Sequence, residues 1–332
     1  VSVTPLLLLP VPLLLALPIA YLGIRPSVKV ELSLTSFEIA VLAIFSIISI
    51  AYNVNHMSVL PFTLEGTFSS SPAGMLAAIS GGLVFGITYF MGFEVSTQLS
   101  EEARNPKSTV PRATAISTLM MGVLYILVMY AIVLDVGMSQ AGVSAFVSQA
   151  QGLGPNPVFS LIDQYLGRAG MVAFAVSLML SVFGSYLATL NATARMFYGM
   201  ARDGMSPSFL SRVSSKHGSP HTAIVFSTLI GVTVAGIAYA IAFLSGYSGI
   251  QMTYNAMQYS YAIDSLYYVF SLVLVAVSAL RIAGKFGKLL VIAGALLLSL
   301  TFYYSVVYLP YLSIFFGSAA LTLVVYFVFY KN

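Results

Sequence analysis

Gly92-Phe93-Glu94, then Glu101-Glu102-Ala103-Arg104-Asn105-Pro106-Lys107 and Val110-Pro111-Arg112, is the stretch on which the reading of this 332-residue chain turns. It closes an apolar segment, Ala78-Ile79-Ser80-Gly81-Gly82-Leu83-Val84-Phe85-Gly86-Ile87-Thr88-Tyr89-Phe90-Met91-Gly92-Phe93-Glu94, that contains four glycines and a carboxylate. A glycine inside a helix costs about 1 kcal/mol relative to alanine, so the cluster predicts unwinding near Thr88 to Gly92. An unwound midpoint exposes backbone N–H and C=O groups able to hold a ligand's charged ends at membrane depth. Glycine spacing alone favours the plainer reading, close packing of small-residue helix faces. Phe93-Glu94 and the charged tail behind them reverse that balance.

Composition supplies the membrane. Hydrophobic residues make up 59% of the chain and charged residues 7%, and mean hydropathy is +0.95; a soluble domain carries about 25% charged residues. The long apolar runs do not alternate, which excludes a transmembrane barrel and predicts an all-α polytopic membrane protein whose spans need about 20 apolar residues each. There is no cysteine, hence no disulfide or thiolate metal site. His56, His217 and His221 lack metal-ligand spacing and are expected in loops. No Walker motif, zinc-ligand set or nucleophile elbow occurs, so the expectation is a protein that is not an enzyme, with no cofactor, no metal and no nucleic-acid partner.

Charged and Pro/Gly-rich breaks cut about nine spans: 4–23, 36–53, 73–100, 111–136, 169–201, 219–244, 256–281, 286–308 and 310–330. Between them, 137–168 is a long connection with room for a short interfacial helix. Of fourteen basic residues, only Arg168 falls on one side when the loops are alternated. Arg25, Lys29, Arg104, Lys107, Arg112, Arg195, Arg202, Arg212, Lys216, Arg281, Lys285, Lys288 and Lys331 fall on the other, which the positive-inside bias makes the cytoplasm. The C-terminus is then cytoplasmic and residue 1 external. Val1 is not an initiator methionine, so an odd number of upstream spans is expected, and the chain reads as a fragment that does not transport by itself.

Phe90-Met91-Gly92-Phe93-Glu94 with the 101–113 motif resembles the sixth helix and following loop of the amino acid–polyamine–organocation (APC) transporters. Asn191-Ala192-Thr193-Ala194-Arg195-Met196-Phe197-Tyr198-Gly199-Met200-Ala201-Arg202-Asp203-Gly204-Met205-Ser206-Pro207 resembles the end of that family's eighth helix, and Ser219-Pro220-His221-Thr222-Ala223 the entry to its ninth. Gly23-Ile24-Arg25-Pro26-Ser27-Val28-Lys29-Val30 resembles its loop between helices four and five. The resemblance implies a LeuT-type inverted repeat, with the chain corresponding to family helices 4–12 in a single transmembrane domain. Residues 1–72 are then the last two helices of the first repeat, 73–281 the complete second repeat and 282–332 two C-terminal helices. It also implies a secondary active permease for amino acids or related amines, in the plasma membrane, moved by alternating access and either proton-coupled or exchanging. A transport-inactive subunit or sensor of the same fold, and a carrier of another solute such as a nucleobase or organic cation, are the alternatives.

By the same resemblance Thr88, Tyr89, Phe90, Gly92 and Phe93 line the substrate's amino group and side chain, each weighed against simple packing. Ser185 and Thr189, one turn apart on one face of a span, line the site from the other side unless they bond the carbonyl four residues back. Glu94 is a gating or closure residue, or a helix-end carboxylate on a neighbouring amide. Glu38 stands where some proton-coupled relatives have a lysine, and is either a proton carrier or solvated at the inner mouth. Asp264, expected near the external end of its span, marks substrate preference or an outer gate, or simply reaches water there. Arg195, Arg202 and Asp203, with Glu101, Glu102 and Arg104, form either inner-gate ion pairs or plain membrane anchors.

Overall fold

Helix formation begins earlier than the charge pattern suggests. A computed structural model describes residues 10–151, 154 and 156–308, and within them α1 (Pro10–Tyr21) gives way to α2 (Ile24–Tyr52) through Leu22 and Gly23, the latter at φ +102°. The expected loop at 23–30 is therefore the first turns of a helix. Pro26 falls in the first turn, where the missing N–H has no intrahelical partner to lose. The Ser27 hydroxyl donates to the carbonyls of Gly23 (3.1 Å) and Ile19 (3.2 Å), stitching the end of α1 to the start of α2.

α3 runs Pro72–Thr88 and α4 Val95–Gln98, with a 3-10 turn at Ser100–Glu102. α5, Pro106–Val136, starts five residues ahead of the expected span. Asn105 precedes it and Pro106 stands at the first helical position, so the proline opens the helix. α6 (Gln140–Gln151) and the first part of α7 (Pro157–Arg202) occupy the long connection. α7 is two helices joined at Gly167, whose φ +63° and ψ −173° are not helical. Asn156 caps it by accepting from the Val158 N–H at 3.0 Å. α8 is His221–Leu244, α9 Gly249–Ala279 and α10 Lys285–Tyr308. His221, expected in a loop, is the first residue of α8.

Five of these helices, α2, α5, α7, α8 and α9, are long and apolar enough to cross a membrane, and all regular elements among the described residues are helical. The chain is a multi-pass helical membrane protein. The front of the first expected span, the whole ninth at 310–330 and the expected cytoplasmic C-terminus lie outside the described residues.

The described residues form two compact units, one within 1–66 and 92–234, the other within 67–91 and 235–332. In the first, α2 packs against both α5 and α7. One core joins Ala16 and Ala20 of α1 to Leu187, Leu190 and Ala194 of α7 and to Ala223 and Ile224 of α8. A second joins Val41 and Phe45 of α2, Ala131 of α5, and Ile162 and Phe174 from either side of Gly167. Alanine is prominent in the first core because helices in lipid gain from close backbone approach rather than from burial of apolar surface. At Gly184 of α7 an added Cβ would meet Leu34 of α2 at 3.8 Å, an ordinary contact distance that leaves room for an alanine. In the second unit α10 packs on α9 and α3, and Ala238 and Ala242 pack on Ala256 and Tyr259.

Candidate functional site

α3 stops at Thr88. The next amides tighten into three-residue turns, Phe90 N–H to the Ile87 carbonyl and Met91 N–H to the Thr88 carbonyl, both at 3.1 Å. Gly92 follows at φ +104°, a conformation L side chains rarely adopt. Its N–H donates to Oε2 of Glu94 at 3.1 Å, and its carbonyl accepts from the Val95 N–H that starts α4. The chain is thus non-helical from Tyr89 to Glu94, where the glycines predict it. Only Gly92 uses glycine's conformational freedom; Gly81, Gly82 and Gly86 remain helical within α3.

Both flanks of the break are tied down. On the second unit's side Thr88 is buried, and its hydroxyl is hydrogen-bonded to the Tyr261 hydroxyl of α9. On the first unit's side the Ser96 hydroxyl reaches the Phe93 carbonyl at 3.0 Å and shares a 2.5 Å hydrogen bond with Thr114 of α5. The Thr97 hydroxyl and N–H both donate to the Glu94 carbonyl, at 2.6 and 2.8 Å. Tyr89 is 53% exposed; Phe90 and Phe93 are partly buried.

Thr88, Tyr89, Phe90 and Asp264 belong to the second unit, and Gly92, Phe93, Glu94, Ser185, Thr189 and Glu38 to the first. Glu94 and Gly92 are brought together by the hydrogen bond above. Ser185 and Thr189 share an exposed face of α7, while Gly184, Leu187 and Asn191 of the same helix are buried. Glu38 is partly buried on α2. Asp264 is not near a helix end: α9 begins at Gly249, seven residues before the expected span, and this places Asp264 at mid-helix with its side chain exposed.

Two polar clusters were not predicted. The first crosses α2 and α7 near the basic end. Asn191, 1% exposed, donates Nδ2 to the Leu187 carbonyl at 3.0 Å and to Oε1 of Glu31 at 3.3 Å, while Arg195 donates to the Asn191 carbonyl and Oδ1 at 3.3 and 3.5 Å. The second lies at the opposite ends of α2 and α5. Asp135 accepts from Ser49 (2.9 Å), Asn53 (2.8 Å) and Tyr165, and Asn53 also donates to the Tyr165 oxygen at 2.8 Å. Polar residues inside apolar runs are the signal that could have found both: Asn191 within α7, and Asp135 between Leu134 and Val136.

At the C-terminal end of α7, Arg202 pairs with Glu101, Nη2 to Oε1 at 2.6 Å, and stacks over Tyr198 at 5.6 Å. Of the predicted inner-gate charges this is a formed ion pair, linking the segment after the break to α7.

The family described as amino acid permease matches residues 13–330. The chain is 29% identical over 223 residues to a branched-chain amino acid permease of Bacillus subtilis, covering 64% of this chain and 43% of that protein. It is 29% identical over 222 residues to a vacuolar cationic amino acid transporter of Arabidopsis thaliana, covering 65% and 33%. A methylthioribose transporter of Bacillus subtilis is 26% identical over 231 residues, covering 68% and 44%. The chain thus matches less than half the length of each of these relatives.

Proposed function

We propose a function from one premise: the chain belongs to the amino acid permease family. It forms part of a secondary active transporter of amino acids or related amines, in the plasma membrane, that works by alternating access around the break at Tyr89–Glu94. The basic ends of its helices face the cytoplasm, and its helices follow a LeuT-type inverted repeat.

The observation that carries this reading is the break itself. A helix of high hydropathy ends at Thr88 and resumes at Val95, and between them stand a left-handed glycine and a carboxylate turned back onto that glycine's amide. Irregular backbone at membrane depth persists only where protein or a water-filled cavity surrounds it, and in transporters such half-helices surround the substrate. Carbonyls of the break receive the ammonium, and Tyr89, Phe90 and Phe93 shield it and supply ring faces for the cation. Ser185 and Thr189, on the exposed face of α7, provide further hydroxyls to the substrate. Glu94 holds the turn and releases it during closure. Glu38 carries the coupling proton.

The test is gradient-driven uptake of a panel of labelled amino acids by the full-length protein in proteoliposomes. Uptake of at least one supports the reading, and a folded protein that carries and binds none of them refutes it. A second reading, a carrier of a different small solute, is favoured by the methylthioribose transporter among the relatives; the same assay with labelled methylthioribose separates the two.

A further inference from the structure

The geometry points to a lipid site: the groove between α1 and α8 takes one acyl chain of an anionic phospholipid, and the basic rim at its end holds the phosphate. The site requires only that the chain spans a membrane, and it stands whichever solute is carried.

The groove has a volume of about 480 Å³, within the range of small-molecule sites. Its walls are Leu14, Leu17 and Pro18 of α1 and Ile224 and Val225 of α8. All of these residues belong to the first unit. Ala16, Ala20 and Ala223 are buried in the core that α1, α7 and α8 share, whereas Leu14, Pro18 and Val225 are exposed on the outer side. From Leu14 to Tyr21 the helix rises about 10 Å, and one leaflet's half of a 30 Å hydrocarbon core is about 15 Å. The groove therefore follows an acyl chain through most of a single leaflet.

One end of the groove is polar. Tyr21, Leu22 and His221 line it there, and the segment ahead of α8 is fastened to Tyr21. The Ser219 hydroxyl donates to the Tyr21 carbonyl at 2.8 Å, the Ser214 hydroxyl to the Tyr21 hydroxyl at 3.5 Å, and the His217 ring meets the Tyr21 ring edge-on at 5.4 Å. That segment carries Arg212 and Lys216, and Arg25 and Lys29 stand one turn apart at the start of α2, just beyond Leu22. All four are exposed, and among the described residues none of their side chains has an ion pair or hydrogen bond. Neither 12–30 nor 204–230 contains an aspartate or glutamate.

Charge selects the occupant. Each Lys or Arg near an anionic leaflet attracts it by about 1 kcal/mol, and a guanidinium meets a phosphate with paired N–H donors. A zwitterionic lipid would bring a cation to a rim that has no carboxylate of its own, so it gains less. Basic residues lie at other helix ends too, but here they border a chain-sized apolar groove, and the two parts of one lipid are met together.

The test reconstitutes the full-length protein in phosphatidylcholine vesicles containing graded mole fractions of phosphatidylglycerol with a diazirine on its acyl chain; diazirine phosphatidylcholine is the comparison. After irradiation, labelled residues are identified by mass spectrometry. Phosphatidylglycerol is expected to label Leu14 and Leu17 and to reach half-saturation at a lower mole fraction than phosphatidylcholine. Arg25→Gln is expected to raise that fraction about fivefold, the equivalent of about 1 kcal/mol. Val225→Trp fills the groove from an exposed position, leaves the four charges in place and is expected to abolish the labelling. Equal half-saturation by the two lipids in the wild type, or an unchanged fraction in Arg25→Gln, overturns the inference. So does wild-type labelling in Val225→Trp, and so does a groove that no lipid labels because another helix of the full-length protein or a second copy covers it.

Discussion

Oε2 of Glu94 accepts a hydrogen bond from the N–H of Gly92 at 3.1 Å, closing a small ring across the break between α3 and α4. The carboxylate of Glu94 thus answers one of the amides that unwinding leaves without a helical partner, and the positive φ of Gly92 makes the geometry possible.

Gly92→Ala tests the backbone half of that arrangement. Space is no obstacle, because an added Cβ meets nothing within 4 Å; the cost is conformational, on the order of 1–3 kcal/mol for an L-residue held in a sparsely populated region. The expected outcome is a lowered melting temperature in detergent together with loss of uptake.

Thr88→Val and Tyr261→Phe each remove one hydroxyl of the bond between the end of α3 and α9. Each is expected to cost about 1 kcal/mol, as one buried hydrogen bond does, and the double substitution less than the sum of the two. Thermal melts of the four proteins measure this coupling.

Asp135→Ala strips the acceptor shared by Ser49, Asn53 and Tyr165. The loss is expected to be about 1–3 kcal/mol, the cost of leaving such donors unsatisfied, and larger than that of Tyr165→Phe, which removes one donor and keeps the ring packed on Phe45 and Tyr52. Denaturation curves of the purified variants decide the order.

The break was legible in the sequence because glycines and a carboxylate inside an apolar run have a local cause and a local effect. Helix starts were less so. Arg25, Pro26, Pro106 and Pro111 look like loop residues, yet a proline in a first turn loses little, and charged residues at a helix end sit near the interface. Asp264 was misplaced for the related reason that polar Gln251, Asn255 and Gln258 hide the first turns of α9. The Glu31–Asn191–Arg195 and Asp135–Asn53–Tyr165 clusters join residues far apart in the chain, and no local pattern announces which α2 residue meets which α7 or α5 residue.

Glu38→Gln addresses coupling. Uptake by the wild type is expected to rise with an inward proton gradient, and uptake by the variant to be indifferent to it, since a glutamine cannot carry the proton. A variant that keeps the wild-type gradient dependence removes Glu38 from the coupling role.

The most direct test of the break as a substrate site uses the absence of cysteine in the chain. In the full-length protein, with any cysteine outside these 332 residues replaced, Tyr89→Cys places a single thiol at a half-exposed position of the break, and its alkylation rate in proteoliposomes is measured with and without a transported amino acid. The account predicts that saturating substrate slows the reaction at Tyr89→Cys but not at a control thiol introduced at Leu244, on the exposed end of α8. Equal rates at Tyr89→Cys with and without substrate would contradict it.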